Sequence, residues 1–90
     1  MNIDYYNLTE EEVLKIATPK NFSEKYILTK FLNEVGEVST VRQISNFFKI
    51  SKTHIYRGIE ENRLIAYKSG SKTLVLSKTI LNIVRKKDTE

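Results

Sequence analysis

The segment TVRQISNFFKISKTHIYRGIEENRLI, residues 40–65, holds two helix starts in close succession. Thr40 and Gln43 form a capping box: the hydroxyl accepts from the amide three residues on, and the glutamine side chain reaches back. Val41, Ile44 and Phe47 or Phe48 then give one apolar side to a helix of about two turns. Lys49-Ile50 leaves room only for a tight connection. Ser51 caps a second helix running to about Glu61, with Ile55 and Ile59 at i and i+4 on its buried side. Asn62 suits a left-handed stop. Gly58 interrupts this helix, where glycine costs about 1 kcal/mol relative to alanine. Two readings of it stay open: a tolerated loss, or close approach of another backbone, such as the same helix of a dimer partner.

Outward from this segment the punctuation is of the same kind. Thr9-Glu10-Glu11-Glu12 is another capping box, followed by Val13, Leu14, Ile16 and Ala17, and Pro19 ends that helix near Ala17. Asn21-Phe22-Ser23-Glu24 opens a longer helix whose apolar stripe is Phe22, Tyr26, Ile27, Phe31, Leu32 and Val35, stopped at Gly36 in a left-handed conformation. Downstream, Leu64–Lys68 and Lys72–Leu76 read as a hairpin around Ser69-Gly70-Ser71, pairing Tyr67 with Lys72 and Ile65 with Leu74. Alternation does not select its core face. Ser77 is the expected cap of a last helix carrying Ile80, Leu81 and Val84, with Arg85-Lys86-Lys87 at the end where cations suit the dipole, and residues 88–90 frayed.

The expected architecture is mainly α with a small β-hairpin, an α+β class, in one domain over 1–90. Residues 1–20 form an N-terminal helical extension and 21–87 the core. Ninety residues leave room for one domain only. The chain is 40% apolar and 29% charged, a globular mixture and not a disordered one. It has no cysteine and one histidine, His54, which excludes disulfides, thiolate chemistry, cysteine-based zinc sites and multi-histidine metal sites. No cofactor or metal is expected. No apolar run is long enough to span a membrane, and Met1-Asn2-Ile3-Asp4 lacks the basic flank of a secretory signal, so the cytoplasm is the expected location.

Charge is unevenly spread. Residues 1–37 hold seven acids against four lysines, a net −3, while residues 38–90 hold four acids against eleven bases, a net +7. A basic half on a small domain points to a polyanion, nucleic acid before membrane.

The order helix, short helix, tight turn, helix, hairpin is that of a helix-turn-helix unit whose second helix can enter a DNA major groove. From Tyr26 to Leu76 the chain resembles a winged helix-turn-helix domain. The resemblance rests on Ile44-Ser45 in the first helix, Ile50-Ser51 at the start of the recognition helix, and Asn62-Arg63-Leu64-Ile65 leading into the wing. Lys49 stands where glycine is common in the family, and Ser45 where alanine is common. More narrowly, KYILTKFLNEVGEVS (25–39) and GSKTLVLSKTILNIVRKK (70–87) are similar to TubR-type centromere-binding proteins of plasmid and phage partition systems. That resemblance implies a homodimer on repeated double-stranded DNA sites, a TubZ-like filament protein as partner, and possible repression of its own operon. Alternatives are a small winged-helix repressor, an excisionase-like DNA-binding factor, or a protein-interaction module. The apolar residues Leu8, Val13, Leu14 and Ile16 of the acidic half are candidates for docking a partner or a second subunit.

With Ile55 and Ile59 turned inward, Thr53, Arg57 and Glu60 point outward on the recognition helix, Tyr56 lies on its flank, and Ser51 and Lys52 sit at its N-terminal turn. Arginine offers a planar fork to guanine or phosphate, hydroxyls suit phosphates and base edges, and free amides at the helix start suit a phosphate. Lys68 and Lys72 flank the hairpin tip, and Arg42 and Lys49 flank the turn. The candidate DNA-contacting set is therefore Arg42, Lys49, Ser51, Lys52, Thr53, Tyr56, Arg57, Lys68 and Lys72. Ser51 and His54, at i and i+3, could suggest a nucleophile and base, but no acid is evident to orient the imidazole, and catalysis is not expected.

Overall fold

The computed structural model describes residues 4–85, so Lys86, Lys87 and the expected frayed end lie outside the described residues. The chain is mainly helical with a small antiparallel sheet, an α+β arrangement. A 3-10 turn at Tyr5–Asn7 precedes α1 (Glu10–Ile16), α2 (Phe22–Val35), β1 (Val38–Thr40), α3 (Val41–Phe48), α4 (Lys52–Glu60), β2 (Ala66–Ser69) and β3 (Lys72–Leu76). A second 3-10 turn at Ser77–Thr79 and α5 (Leu81–Val84) follow.

The starts of α1 to α4 are set by the residues read as caps. Thr9 and Glu12 close their capping box on α1, and Thr40 and Gln43 close theirs on α3. The Asn21 side chain accepts from the Glu24 amide at 2.9 Å, while Glu24 bonds the Lys20 amide instead of that of Asn21. Gly36 ends α2 with φ 85° and ψ −170°, a conformation open to glycine alone and outside the left-handed helical region expected. Lys49 ends α3 at φ 60°. α4 closes with a Schellman pair: the Arg63 amide donates to the Gly58 carbonyl and the left-handed Asn62 amide to that of Ile59.

One core unites α2 to α5 with β2 and β3. Phe31, Ile44, Ile55, Val75 and Ile80 are fully enclosed, joined by Leu28, Val41, Leu64 and Leu81. Phe47 and Phe48 both reach it, each with its ring about 5 Å from that of Phe31. Phe22 and Tyr26, read as part of the buried stripe of α2, instead stack on each other in solvent, 80% and 54% exposed, and Leu28 takes their place inside. At about 100° per residue Phe22 stands opposite the buried Phe31 and Tyr26 about 140° from it, so the two aromatics pair locally, with the Lys30 ammonium 5.8 Å from the Tyr26 ring centre.

The sheet departs from the expected hairpin in three ways. It has a third strand, β1, and the order is β1-β3-β2. Tyr67 pairs with Leu74 and Ser69 with Lys72, so Tyr67 does not pair with Lys72. Only Gly70-Ser71 remain in the turn, with positive φ at Gly70 alone, as a two-residue II′ turn requires. The third departure is at Ser77, which caps no helix. It is buried, and its hydroxyl donates to Ser39 Oγ at 3.0 Å, tying β1 to the end of β3.

The last helix is also displaced from its expected role. Arg85 does not serve the carbonyl end of α5. Its guanidinium donates to the carbonyls of Ile16 and Thr18 at the end of α1 and, in a two-point ion pair, to Glu24 of α2. Asn82 is buried beside it, donating to the Val13 and Arg63 carbonyls and accepting from the Tyr5 hydroxyl. Burial pushes the Tyr5 hydroxyl pKa up, opposed by the nearby Arg63 and Arg85 guanidinium groups. The N-terminal extension is thereby joined to the core through hydrogen-bonded polar groups.

Candidate nucleic-acid interface

α3 and α4 are linked by Lys49, Ile50 and Ser51 alone. Lys49 turns the chain through its left-handed backbone, and the Ser45 hydroxyl donates to the Ile50 carbonyl at 2.7 Å, bracing the turn from within. Ser51 then starts α4, its hydroxyl oxygen accepting from the His54 amide at 3.1 Å. That bond uses an acceptor of Ser51 and leaves its proton free to donate. The amides of the first turn of α4 have no helical partner.

The nine candidate residues are all exposed. Tertiary structure brings four of them together: Arg42 from the first turn of α3, Lys52 and Tyr56 from α4, and Lys72 from β3 line one groove of about 400 Å³. Thr40, Val41, Ser71 and Thr73 complete its lining. No acid lines it, and none of its three cations has an ion-pair partner among the described residues. The groove is thus an uncompensated positive site with hydroxyl donors and one tyrosine ring.

The other five candidates are not in that groove. Lys68 lies on β2, Lys49 at the helix–helix turn, Ser51 at the α4 cap and Thr53 on the outward side of α4. Arg57 faces the opposite flank, where it lines a smaller cleft of about 180 Å³ with His54, Arg63 and Arg85 among others. The His54 ring reaches the Ile83 carbonyl at 3.2 Å, and its contact with Ser51 runs through the backbone amide and not the imidazole.

Two features of this region escaped sequence reading. Thr73 and Ser71 line the groove only because of the hairpin register, which two separated strands must set together. Gly58 makes room for a side chain and not for another backbone. A Cβ there would stand 2.7 Å from the Ile83 Cγ2 atom of α5, so the close approach is by a side chain of the same molecule. Glycine spacing in one helix carries no signal of that contact.

Comparison with known proteins gave no match: no family model, curated protein or solved structure is significantly similar to this chain.

Proposed function

We propose that the chain is a winged helix-turn-helix protein that binds double-stranded DNA in a sequence-specific way as a homodimer. The observation that carries this reading is the groove in which Arg42, Lys52, Tyr56 and Lys72 converge from three elements without one acid. α4 would lie in the major groove with Thr53, Arg57 and Glu60 toward base edges, while the groove cations and the hairpin lysines take phosphates. A single module of this size covers only about 600–1,000 Å² of protein surface on DNA, so two copies on repeated half-sites supply the remaining specificity.

Salt titration tests the chemistry. Neutralising phosphates releases counterions, so affinity falls steeply with salt, with a log–log slope near −0.9 per phosphate. Replacing Arg42 and Lys52 by alanine should make that slope shallower by roughly one unit per lost contact. A slope that stays flat in the wild type would overturn DNA binding and favour a protein partner for this surface. The biological use follows the resemblance: TubR-like binding of a plasmid or phage centromere, with a TubZ-like filament as partner, ahead of simple repression. A footprint over an array of short repeats flanking the gene supports partition; one palindrome at a promoter supports repression.

A further inference from the structure

At the far end of the sheet from the hairpin tip lies a second, chemically different surface. Leu14 of α1, Ala17 just past its end, Pro19, Leu28 and Leu32 of α2, and Leu76 of β3 line an open cleft of about 480 Å³. Leu76 pairs with Val38 of β1, which is 37% exposed and extends the apolar surface beyond the cleft. Two charges stand at its rim, Glu37 and Lys78. They are neighbours in space, because the Ser77 amide donates to the Glu37 carbonyl at 2.9 Å. Neither has an ion-pair partner among the described residues.

An apolar cleft with one free acid and one free base side by side is self-complementary. In a two-fold dimer, residue i of one copy meets residue j of the other and the reverse holds equally. A two-fold axis that passes midway between the two charges sets Glu37 against Lys78 of the second copy, twice, beside the leucine-lined cleft. A partner of one charge sign would leave one of the two unmatched. We infer that this cleft is the surface through which two copies of the chain associate, leaving both cationic grooves uncovered. The inference names the interface of the homodimer in the proposed function and does not depend on DNA.

Sedimentation velocity without DNA tests it with the Glu37→Lys and Lys78→Glu variants. Both positions are exposed, and circular dichroism confirms that each variant folds. The wild type should dimerise. Each variant alone sets like charges across the axis twice and should dimerise at least about tenfold more weakly. An equimolar mixture of the two should regain the dimer, because lysines of one chain then face glutamates of the other at both contacts. A wild type that stays monomeric, variants that dimerise as well as wild type, or a mixture no better than its components would each overturn the proposal. Because no DNA is present, such a failure leaves the groove reading standing, and a flat salt response leaves the dimer standing.

Discussion

Lys49 and Asn62 both adopt the left-handed backbone without being glycine, at φ 60° and 64°, yet a glycine substitution should have opposite effects at the two. A side chain with a Cβ pays about 1–2 kcal/mol in that conformation. Lys49 is exposed and no side-chain bond is seen for it among the described residues, so Lys49→Gly should raise stability by about 0.5–1 kcal/mol in a urea melt. Asn62 spends its amide on the chain's own start, donating to the Tyr5 carbonyl at 2.7 Å and the Leu8 carbonyl at 3.0 Å. Asn62→Gly keeps the turn but strips both carbonyls, and should lower stability by about 1–2 kcal/mol. Gly58 gives a third case at this scale. Alanine favours helix by about 1 kcal/mol, but here its methyl must displace Ile83 Cγ2, a methyl fixed close to its own backbone. Gly58→Ala should be net destabilising, and the Gly58→Ala/Ile83→Ala pair should cost clearly less than the two single losses added together.

Between elements, the Arg85 guanidinium joins the end of α1 to the start of α2 and has a pH signature. Its hydrogen bonds hold the Glu24 carboxyl below the ordinary glutamate range, against a burial effect that acts to raise it. A carboxyl whose folded pKa is depressed stabilises the fold above its unfolded value, and that contribution fades as pH falls through the lowered one. Stability should therefore decline on acidification below the usual glutamate value of about 4.3, and Glu24→Gln should flatten that part of the profile while lowering stability at neutral pH. Chemical denaturation of both proteins across the acid range measures it. The same guanidinium answers the carbonyls of Ile16 and Thr18, so a cation read as serving its own helix end instead serves one 69 residues away in sequence. β1 is an element of this kind too. Three residues with one buried serine have no pattern of their own, and β3 makes them a strand.

Across the whole molecule the uneven charge of the sequence becomes a division of surfaces. The free cations of α3, α4 and β3 share one groove, and the leucine cleft lies at the other end of the sheet. Lys72 lines the first surface and Lys68 stands outside it on β2, and under the proposed function both take phosphates. Lys68→Ala/Lys72→Ala should weaken specific and scrambled duplexes by similar factors and make the salt slope shallower by roughly two units, with stability changed by no more than about 0.5 kcal/mol. A loss confined to the specific duplex would mean that the hairpin reads sequence. Arg57→Ala should behave differently, costing about 1–3 kcal/mol on the specific site and relaxing its sequence preference. Among the described residues no helix is long and apolar enough to cross a membrane.

The sequence by itself determined where α1 to α4 begin and end, but not where the last helix begins, since its expected cap Ser77 is buried against Ser39. A cap joins residues three or four apart, and Thr9 with Glu12, Thr40 with Gln43, Asn21, Ser51 and Asn62 all complete theirs within a single turn. It determined most of the core on the same grounds, since Ile44, Ile55 and Phe31 stand at helical spacing. It also identified the exposed residues proposed to contact DNA, because charge and hydroxyl chemistry belong to the residue. Tertiary structure decided what depends on distant partners. The hairpin register followed from a two-residue turn and not a three-residue one, and Ser77 was drawn inward by Ser39. Ile83 set the need for glycine at position 58, and Arg85 found its partners on α1 and α2. The separation of Arg57 from Arg42, Lys52, Tyr56 and Lys72 was decided there as well, because a groove is made by the packing of α3, α4 and β3 and is present in none of them alone.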